Sequence, residues 1–454
     1  ARSSAGSSQI QIDLGGESVY PVFVAEVNGV GYASLAGALQ AAVGMIGNVT
    51  VELLDDIDLQ NADWPEITVN GYSIALETVT LEGNGHSIKG LNAPLFAGTW
   101  AGKSGLVIRD LTIRDSAIVK DKEDSKGNVG VGAFIGYPQA SETVTLSNCH
   151  LVDSSVKGGH WTGGLIGIAG GYNGNGSVKM NLTIEDCSVD NCDIQGQGSV
   201  GGIIGHAANN ANTVVSITGA KVTKTDITSF DSGNQKAGSV MGTVGTSPVT
   251  LDAEESGNTV TCGGTEVPGI YGRFGSTGST LTIVGGSYES GVKAPEVAST
   301  LVVSGGTFTE EIPAKFCARG FGSVQDGDLY TVMPKESTKW DPDNGEFAIF
   351  TEEDLKDFRD RVNDGDDFAG VTVTLNADLD LKSESSWTPI GTGKRDGRNA
   401  KDAKPFCGVF DGQKHTISNL TIDNKAMSTR PDAKEAFGLF GVVDGGTVKN
   451  LTLD

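Results

Sequence analysis

The chain has 454 residues and a formal charge of −24 (33 Lys and Arg against 57 Asp and Glu), with 65 glycines and an apolar share of 38%. Binding to nucleic acid or to an anionic membrane needs clustered Lys and Arg, and no basic stripe is present, so both are excluded. A bilayer span is excluded too, because no run of about 18 apolar residues exists.

The apolar share is enough for a core, and the length calls for several units or a repeat architecture. Residues 1–19 begin Ala-Arg-Ser-Ser-Ala-Gly-Ser-Ser, with no apolar signal core, and read as a flexible segment. A first β unit is expected over 20–335. It opens on a short helix from Tyr32, with Leu35 and Leu39 four apart and Ser34 as N-cap, followed by the strand Val49-Thr-Val-Glu-Leu-Leu.

Two phrases then recur. Leu111-Thr-Ile-Arg-Asp aligns with Val144-Thr-Leu-Ser-Asn, Leu182-Thr-Ile-Glu-Asp and Val215-Ser-Ile-Thr-Gly, each an alternating run rich in β-branched residues. Five residues on, this alignment stacks Ser116, Cys149, Cys187 and Ala220, all small enough for an inward column. Between these phrases lie Gly132-Ala-Phe-Ile-Gly136, Gly163-Gly-Leu-Ile-Gly167, Gly201-Gly-Ile-Ile-Gly205 and Gly238-Ser-Val-Met-Gly242. Two strand phrases repeating in step predict an all-β fold, a right-handed parallel β-helix whose open ends need caps. Leu281-Thr-Ile-Val-Gly-Gly-Ser-Tyr and Leu301-Val-Val-Ser-Gly-Gly-Thr-Phe read as its last coils.

Residues 336–345 read as a linker, and 346–454 as the start of a second β-helix with its own short helix, N-capped by Thr351. Val371-Thr-Val-Thr-Leu-Asn-Ala-Asp-Leu-Asp-Leu echoes Val49-Thr-Val-Glu-Leu-Leu-Asp-Asp-Ile-Asp-Leu, and Trp387 follows as Trp64 does. Phe410-Asp-Gly-Gln-Lys-His-Thr-Ile echoes Leu81-Glu-Gly-Asn-Gly-His-Ser-Ile, and Gly438-Leu-Phe-Gly441 echoes Pro94-Leu-Phe-Ala97, so the unit is a duplication. The chain stops at Leu451-Thr-Leu-Asp454, inside a strand-like phrase, and a longer parent protein is expected.

The Trp387-Thr-Pro-Ile-Gly, Phe410-to-Ile422 and Phe437-Gly-Leu-Phe-Gly phrases resemble the GLUG-type repeats of bacterial surface proteins. Val27-Asn-Gly-Val-Gly-Tyr-Ala-Ser-Leu is similar to the opening of pectate-lyase-like solenoids of gut bacterial surface proteins. Gly305-Gly-Thr-Phe-Thr through Asp326-Gly-Asp-Leu-Tyr-Thr-Val is similar to their closing segment. The resemblance implies an adhesin-like or carbohydrate-contacting surface protein and carries over no catalytic residues.

A lyase would need carboxylates for Ca²⁺ and a basic residue, and a hydrolase two converging carboxylates. Asp186, Asp190, Asp193 and Asp226 are the candidates, and no Arg or Lys accompanies them at matching positions. His86 and His415 are duplicates in a turn phrase and read as structural. His150 and His206 belong to different phrases, which gives a Ser-His-Asp triad no support. Asn181, Asn419 and Asn450 are weighed as glycosylation acceptors, which would need a secretory-pathway host, against corner residues whose side chains serve the backbone, with Asp110 in the equivalent place, and the corner is preferred. Asp341-Pro-Asp-Asn-Gly-Glu, with Glu352 at the twelfth place, and the weaker Asn363-Asp-Gly-Asp-Asp are weighed as calcium loops against acidic turns, and the turn is preferred. The six cysteines show neither CxxC nor zinc spacing and read as buried small residues, with one disulfide left open.

One patch suits a ligand: Tyr137, His160, Trp161, Tyr172 and His206, on successive coils, would present rings to sugars, against the alternative of core packing. No catalytic residue, cofactor or metal is expected. The leading expectation is a non-enzymatic, secreted or cell-surface bacterial protein, adhesin-like, with a host or dietary glycan or a surface protein as partner. The alternatives are a polysaccharide lyase or hydrolase of the β-helix class, or a structural stalk for a domain beyond residue 454.

Overall fold

The computed structural model describes residues 22–70, 76–100, 105–120, 130–138, 143–170, 180–207, 212–231, 236–267, 269–318, 321–334, 346–383, 386–396, 399–422 and 438–454, with 12–13 and 18–19. The rest of the 1–19 segment, the 336–345 linker, most of the Asp341 acidic loop, Tyr172 and Phe437 lie outside them. The chain divides into two compact units, Ala1–Phe316 with Ser323–Val332, and Cys317–Gly322 with Met333–Asp454. Among the described residues the fold is all-β, with large parallel sheets and two α-helices. No helix among them is long and apolar enough to cross a membrane.

The first unit is organised by parallel ladders whose rungs lie 20 to 40 residues apart in sequence. The longest runs through Gly47–Leu53, Leu76–Glu82, Gly105–Arg114, Thr143–Val152, Met180–Glu185, Thr213–Thr223, Val249–Ser256, Thr280–Tyr288 and Thr300–Val303. Alternate residues such as Val144, Leu146, Leu182, Ile184, Val215 and Ile217 are buried, as a half-buried strand requires. A second ladder runs from Thr68–Asn70 through Phe96–Trp100, Ile135–Pro138, Ile166–Ala169, Ile204–Ala207 and Met241–Val244 to Tyr271–Phe274. A third joins Ala117–Val119, Ser155–Gly158, Asp193–Gly196, Asp226–Ser229 and Thr259–Cys262. A fourth, shorter one joins Gly130–Val131, Trp161–Gly163, Ser199–Gly201 and Ala237–Gly238.

The glycine phrases fall in register as aligned, with Ile135, Ile166, Ile204 and Met241 successive partners. Their glycines let the second and fourth ladders touch backbone to backbone. A Cβ on Gly167 would lie 2.2 Å from the Val131 nitrogen, closer than any side chain tolerates.

In the other alignment Val144, Leu182 and Val215 are successive partners, so Cys149, Cys187 and Ala220 stack as aligned, and only its first member is displaced, by five residues. Leu106, not Leu111, pairs with Val144, while Leu111 pairs with Cys149, so Ser116 stands beside Ser154 and not beside Cys149. The cause is a double corner. Asp110, Asn148 and Asp186 turn the chain with φ of 53°, 50° and 52°, and Asp115, Asp153 and Asn191 turn it again five residues later with 45°, 48° and 52°. Both corners follow an alternating triplet, so either can be mistaken for the other. Asn181 is no corner, since it sits inside Met180–Glu185, whereas Asn419 and Asn450 are corners with φ of 57° and 55°.

Each end of the long ladder is closed by antiparallel pairing, with Ala25–Val27 against Gly47–Leu53 and Leu329–Pro334 against Thr307–Phe308. That withholds an open strand edge from solvent. Helix α1 (Leu35–Ala42) packs its buried Leu35, Ala38 and Leu39 at the first end, and the Ser34 hydroxyl accepts the Gly37 N–H at 3.2 Å.

The second unit has a ladder of Glu346–Ile349, Thr372–Leu375, Val409–Asp411 and Thr447–Lys449, and a narrower one of Leu379–Asp380, Thr416–Ser418 and Thr452–Leu453. Helix α2 (Glu352–Asp364) starts with a reciprocal capping box between Thr351 and Asp354 and stops at Gly365 in the left-handed region. The Asn363–Asp367 run is therefore the end of this helix. All six cysteines are free, four buried and two partly so, and burial pushes the Cys192 thiol up to about 12.

Candidate functional site

The second of the two corners builds a concave surface. Asp115, Asp153, Asn191 and Lys224 stack on successive rungs in the left-handed conformation, each followed by a residue that serves the backbone. The Ser116 hydroxyl donates to the Arg114 carbonyl at 2.8 Å and accepts the Leu91 N–H at 3.0 Å. Ser154 donates to the Val152 carbonyl at 2.7 Å and accepts the Ser116 N–H at 3.1 Å. Thr225 donates to the Thr223 carbonyl at 2.9 Å and accepts the Cys192 N–H at 3.4 Å. These hydroxyls are committed to the corner, leaving the Asx side chains and the first residues of the third ladder to face outward.

The result is a groove of about 540 Å³ lined by Asp115, Asp153, Asp193 and Asp226, with Asn61, Asn191, Ser155 and Lys224 among its other walls. Asp193 and Asp226 are register partners on adjacent rungs. The Asp193 carboxylate accepts both hydrogen bonds of the Gln195 amide, at 2.8 and 2.7 Å, and lies 3.8 Å from the Lys157 ammonium. Asp153 accepts from the Asn191 amide, and Asp115 from the Arg114 guanidinium at 2.9 Å. Such a surface is rich in acceptors and suits hydroxyl- or amine-bearing ligands. Among the described residues no group of three or more His, Cys, Asp and Glu side chains is placed to hold a metal.

Of the four carboxylates singled out in the sequence, Asp193 and Asp226 line the groove. Asp186 forms the other corner and Asp190 accepts the Thr223 hydroxyl. Basic residues do accompany them: Lys157 pairs with Asp193, and Lys224 stands in the groove wall.

The aromatic patch is brought together but turned inward. Tyr137, Trp161 and Ile168 form a small cluster, with Tyr137 5% and Trp161 9% exposed. The His206 ring lies 6.0 Å from that of Trp161 and is 5% exposed. Among the described residues neither His206 ring nitrogen has a hydrogen-bond partner, and burial, with smaller contributions from Arg273 and Lys236, lowers its pKa to about 4. His160 is exposed, 6.1 Å from the Trp161 ring. Tyr137, Trp161 and His206 are thus covered, the core-packing alternative weighed against an open sugar-facing patch, while His160 stays exposed.

No family model matches the chain, so its likeness to GLUG-type repeats rests on the phrases themselves. It is 37% identical over 87 residues to halomucin of Haloquadratum walsbyi (strain DSM 16790 / HBSQ001). That stretch is 17% of this chain and 1% of halomucin's length. Among solved structures it is similar to one described as a putative immunoglobulin A1 protease from Bacteroides ovatus. The sequence identity is 15%, the match covers 62% of this chain and 77% of the other, and the TM-score is 0.34.

Sequence reasoning missed Asp115, Asp153 and Asn191. Their signal was present as pairs of Asx residues five apart, 110 and 115, 148 and 153, 186 and 191.

Proposed function

We propose that the chain is a bacterial, secreted or cell-surface protein of adhesin type, built as two right-handed parallel β-helices over 20–335 and 346–454. In this reading it presents the corner groove to a glycan or a protein partner. The observation that carries it is the groove itself, where acceptor side chains repeat at rung spacing along one corner. A repeating ligand meets such a surface with repeated contacts. The in-register ladders and the division near Val332 support the β-helix and domain readings. The acidity excludes polyanionic ligands from the groove by repulsion.

The test is a glycan array and mucin-binding assay on the purified chain and on Asp153→Asn/Asp193→Asn. Binding that the double variant weakens at least about tenfold, near 1.4 kcal/mol, supports the groove as the site. Binding unchanged in the variant sends the partner elsewhere on the surface. The in-register Asp193 and Asp226 favour a second reading, a polysaccharide-active enzyme. A reducing-sugar and unsaturated-product screen in which Asp193→Asn or Asp226→Asn abolishes activity would establish it.

A further inference from the structure

His150 stands at the centre of a four-residue hydrogen-bond chain on the solvent face of the long ladder. Its Nδ1 lies 2.8 Å from the Ser188 Oγ and its Nε2 lies 2.9 Å from the Asn148 Oδ1. The Asn148 amide in turn donates to the Asp110 carboxylate at 2.7 Å. Register makes the chain: His150 and Ser188 are direct partners on adjacent rungs, and Asn148 and Asp110 are the equivalent corner residues of neighbouring rungs.

The polarity of this chain is fixed by its ends. Ionised Asp110 only accepts, so Asn148 presents its NH₂ to Asp110 and its oxygen to His150. That oxygen also only accepts, so the Nε2 of His150 carries the proton and Nδ1 of the neutral ring is left as acceptor for the Ser188 hydroxyl. Burial lowers the His150 pKa, against a smaller opposing pull from Asp110, which keeps the ring neutral at pH 7. On the other side of Ser188 its register partner is Lys221, whose ammonium lies 2.9 Å from Glu254. The Ser188 hydroxyl thus faces a ring nitrogen that can take its proton, the arrangement an activated nucleophile needs.

We propose that Ser188 is an activated nucleophile that takes up an acyl group from an activated ester, with His150 as its general base and Asn148 and Asp110 as positioning residues. In the step, the Ser188 Oγ attacks the ester carbonyl carbon while its proton passes to His150 Nδ1. The Oγ–C bond forms, the carbon–leaving-group bond breaks with its electron pair going to the alcohol oxygen, and His150 returns the proton to that oxygen or to water. This activity is independent of what the corner groove binds.

The probe is p-nitrophenyl acetate on the full chain, read by release of p-nitrophenol and by peptide mapping of the acetyl group. The expected result is acetylation at Ser188, abolished in Ser188→Ala and slowed about a hundredfold in His150→Gln. Asn148→Ala, which frees the tautomer, should lower the rate by one factor at every pH, and Asn148→Gln, which keeps an acceptor oxygen, should restore part of it, a rescue that a purely structural role would not produce. In the unaltered chain the rate should fall as His150 takes on a proton below its ordinary value of about 6.5. Acetyl groups on lysines alone overturn the proposal. So does labelling of Ser188 that is equally fast in His150→Gln, or independent of pH in the unaltered chain should that variant not fold.

Discussion

The opening rungs of the first unit and the rungs of the second can be laid side by side, atom by atom. The Trp64 indole donates to the Leu95 carbonyl and the Trp387 indole to the Leu439 carbonyl, both at 3.1 Å. The Asp56 carboxylate accepts the Ser87 N–H at 2.7 Å and Asp378 that of Thr416 at 2.8 Å, with His86 and His415 beside them at 3.7 and 3.1 Å. Asn84 reaches the Leu53 carbonyl at 2.9 Å and Gln413 that of Leu375 at 3.1 Å. What fills the two units differs. The first packs Val, Ile and Leu in columns, whereas the second gathers Phe347, Phe358, Phe368, Phe406 and Phe410 around one helix face. Corner hydrogen bonds have few geometric solutions, so they recur as sets, while a core needs only the right volume and admits many fillings.

Removing a large filler should break this comparison hardest. Phe358 is fully buried, with ring centroids of Phe368, Phe406 and Phe347 at 5.0, 5.4 and 5.7 Å. Phe358→Ala should cost the second unit about 4 kcal/mol. Peptide-resolved hydrogen exchange should register the loss in residues 346–454 and leave the first unit's ladders protected.

Next come the duplicated turn glycines. A Cβ on Gly83 would lie 2.2 Å from the Asp110 carbonyl oxygen, and one on Gly412 2.6 Å from that of Asn450. Each alanine variant should lose about 2 to 3 kcal/mol, Gly83→Ala the more, read from urea midpoints. Equal and negligible losses would mean that the turns are not built as described.

Acid should then separate the units. His206 has a folded pKa near 4, below the unfolded value of about 6.5, so between these values the unfolded chain binds the extra proton. Its contribution is complete above about 6.5 and fades as pH falls toward 4, a loss near 2 kcal/mol by pH about 5 that is confined to the first unit. His206→Gln should flatten that slope. Both units should weaken only at lower pH, because backbone N–H groups of Ser87 and Thr416 hold the Asp56 and Asp378 carboxyls below their ordinary range. The stability these carboxylates give is present above about pH 3.9 and lost as pH falls through their depressed values.

The smallest effect tests the duplication directly. Trp64→Phe and Trp387→Phe each leave a carbonyl without its indole donor and should each cost about 1 to 2 kcal/mol. Strongly unequal losses would separate two sites that the hydrogen bonds make equivalent.

Much was legible in the residues themselves. Alternating β-branched runs, glycine phrases in step, the Ser34 and Thr351 caps and the echo of Trp64 in Trp387 are local patterns, and local patterns determine strands, turns and caps. Two things were not. The place of the Leu111 phrase in the long ladder slipped by five, while Val144, Leu182 and Val215 aligned correctly, because Asp110 and Asp115 each follow a similar triplet and only hydrogen bonding to the neighbouring rung distinguishes them. The direction of the aromatic patch was also open, since Tyr137, Trp161 and His206 were weighed as ligand-facing against core packing, and only the tertiary structure shows them buried. The same register puts Ser188 beside His150, residues 38 positions apart that no motif connects. Sequence determines what each residue can bond to, but rung stacking, a long-range backbone arrangement, decides which partner it meets.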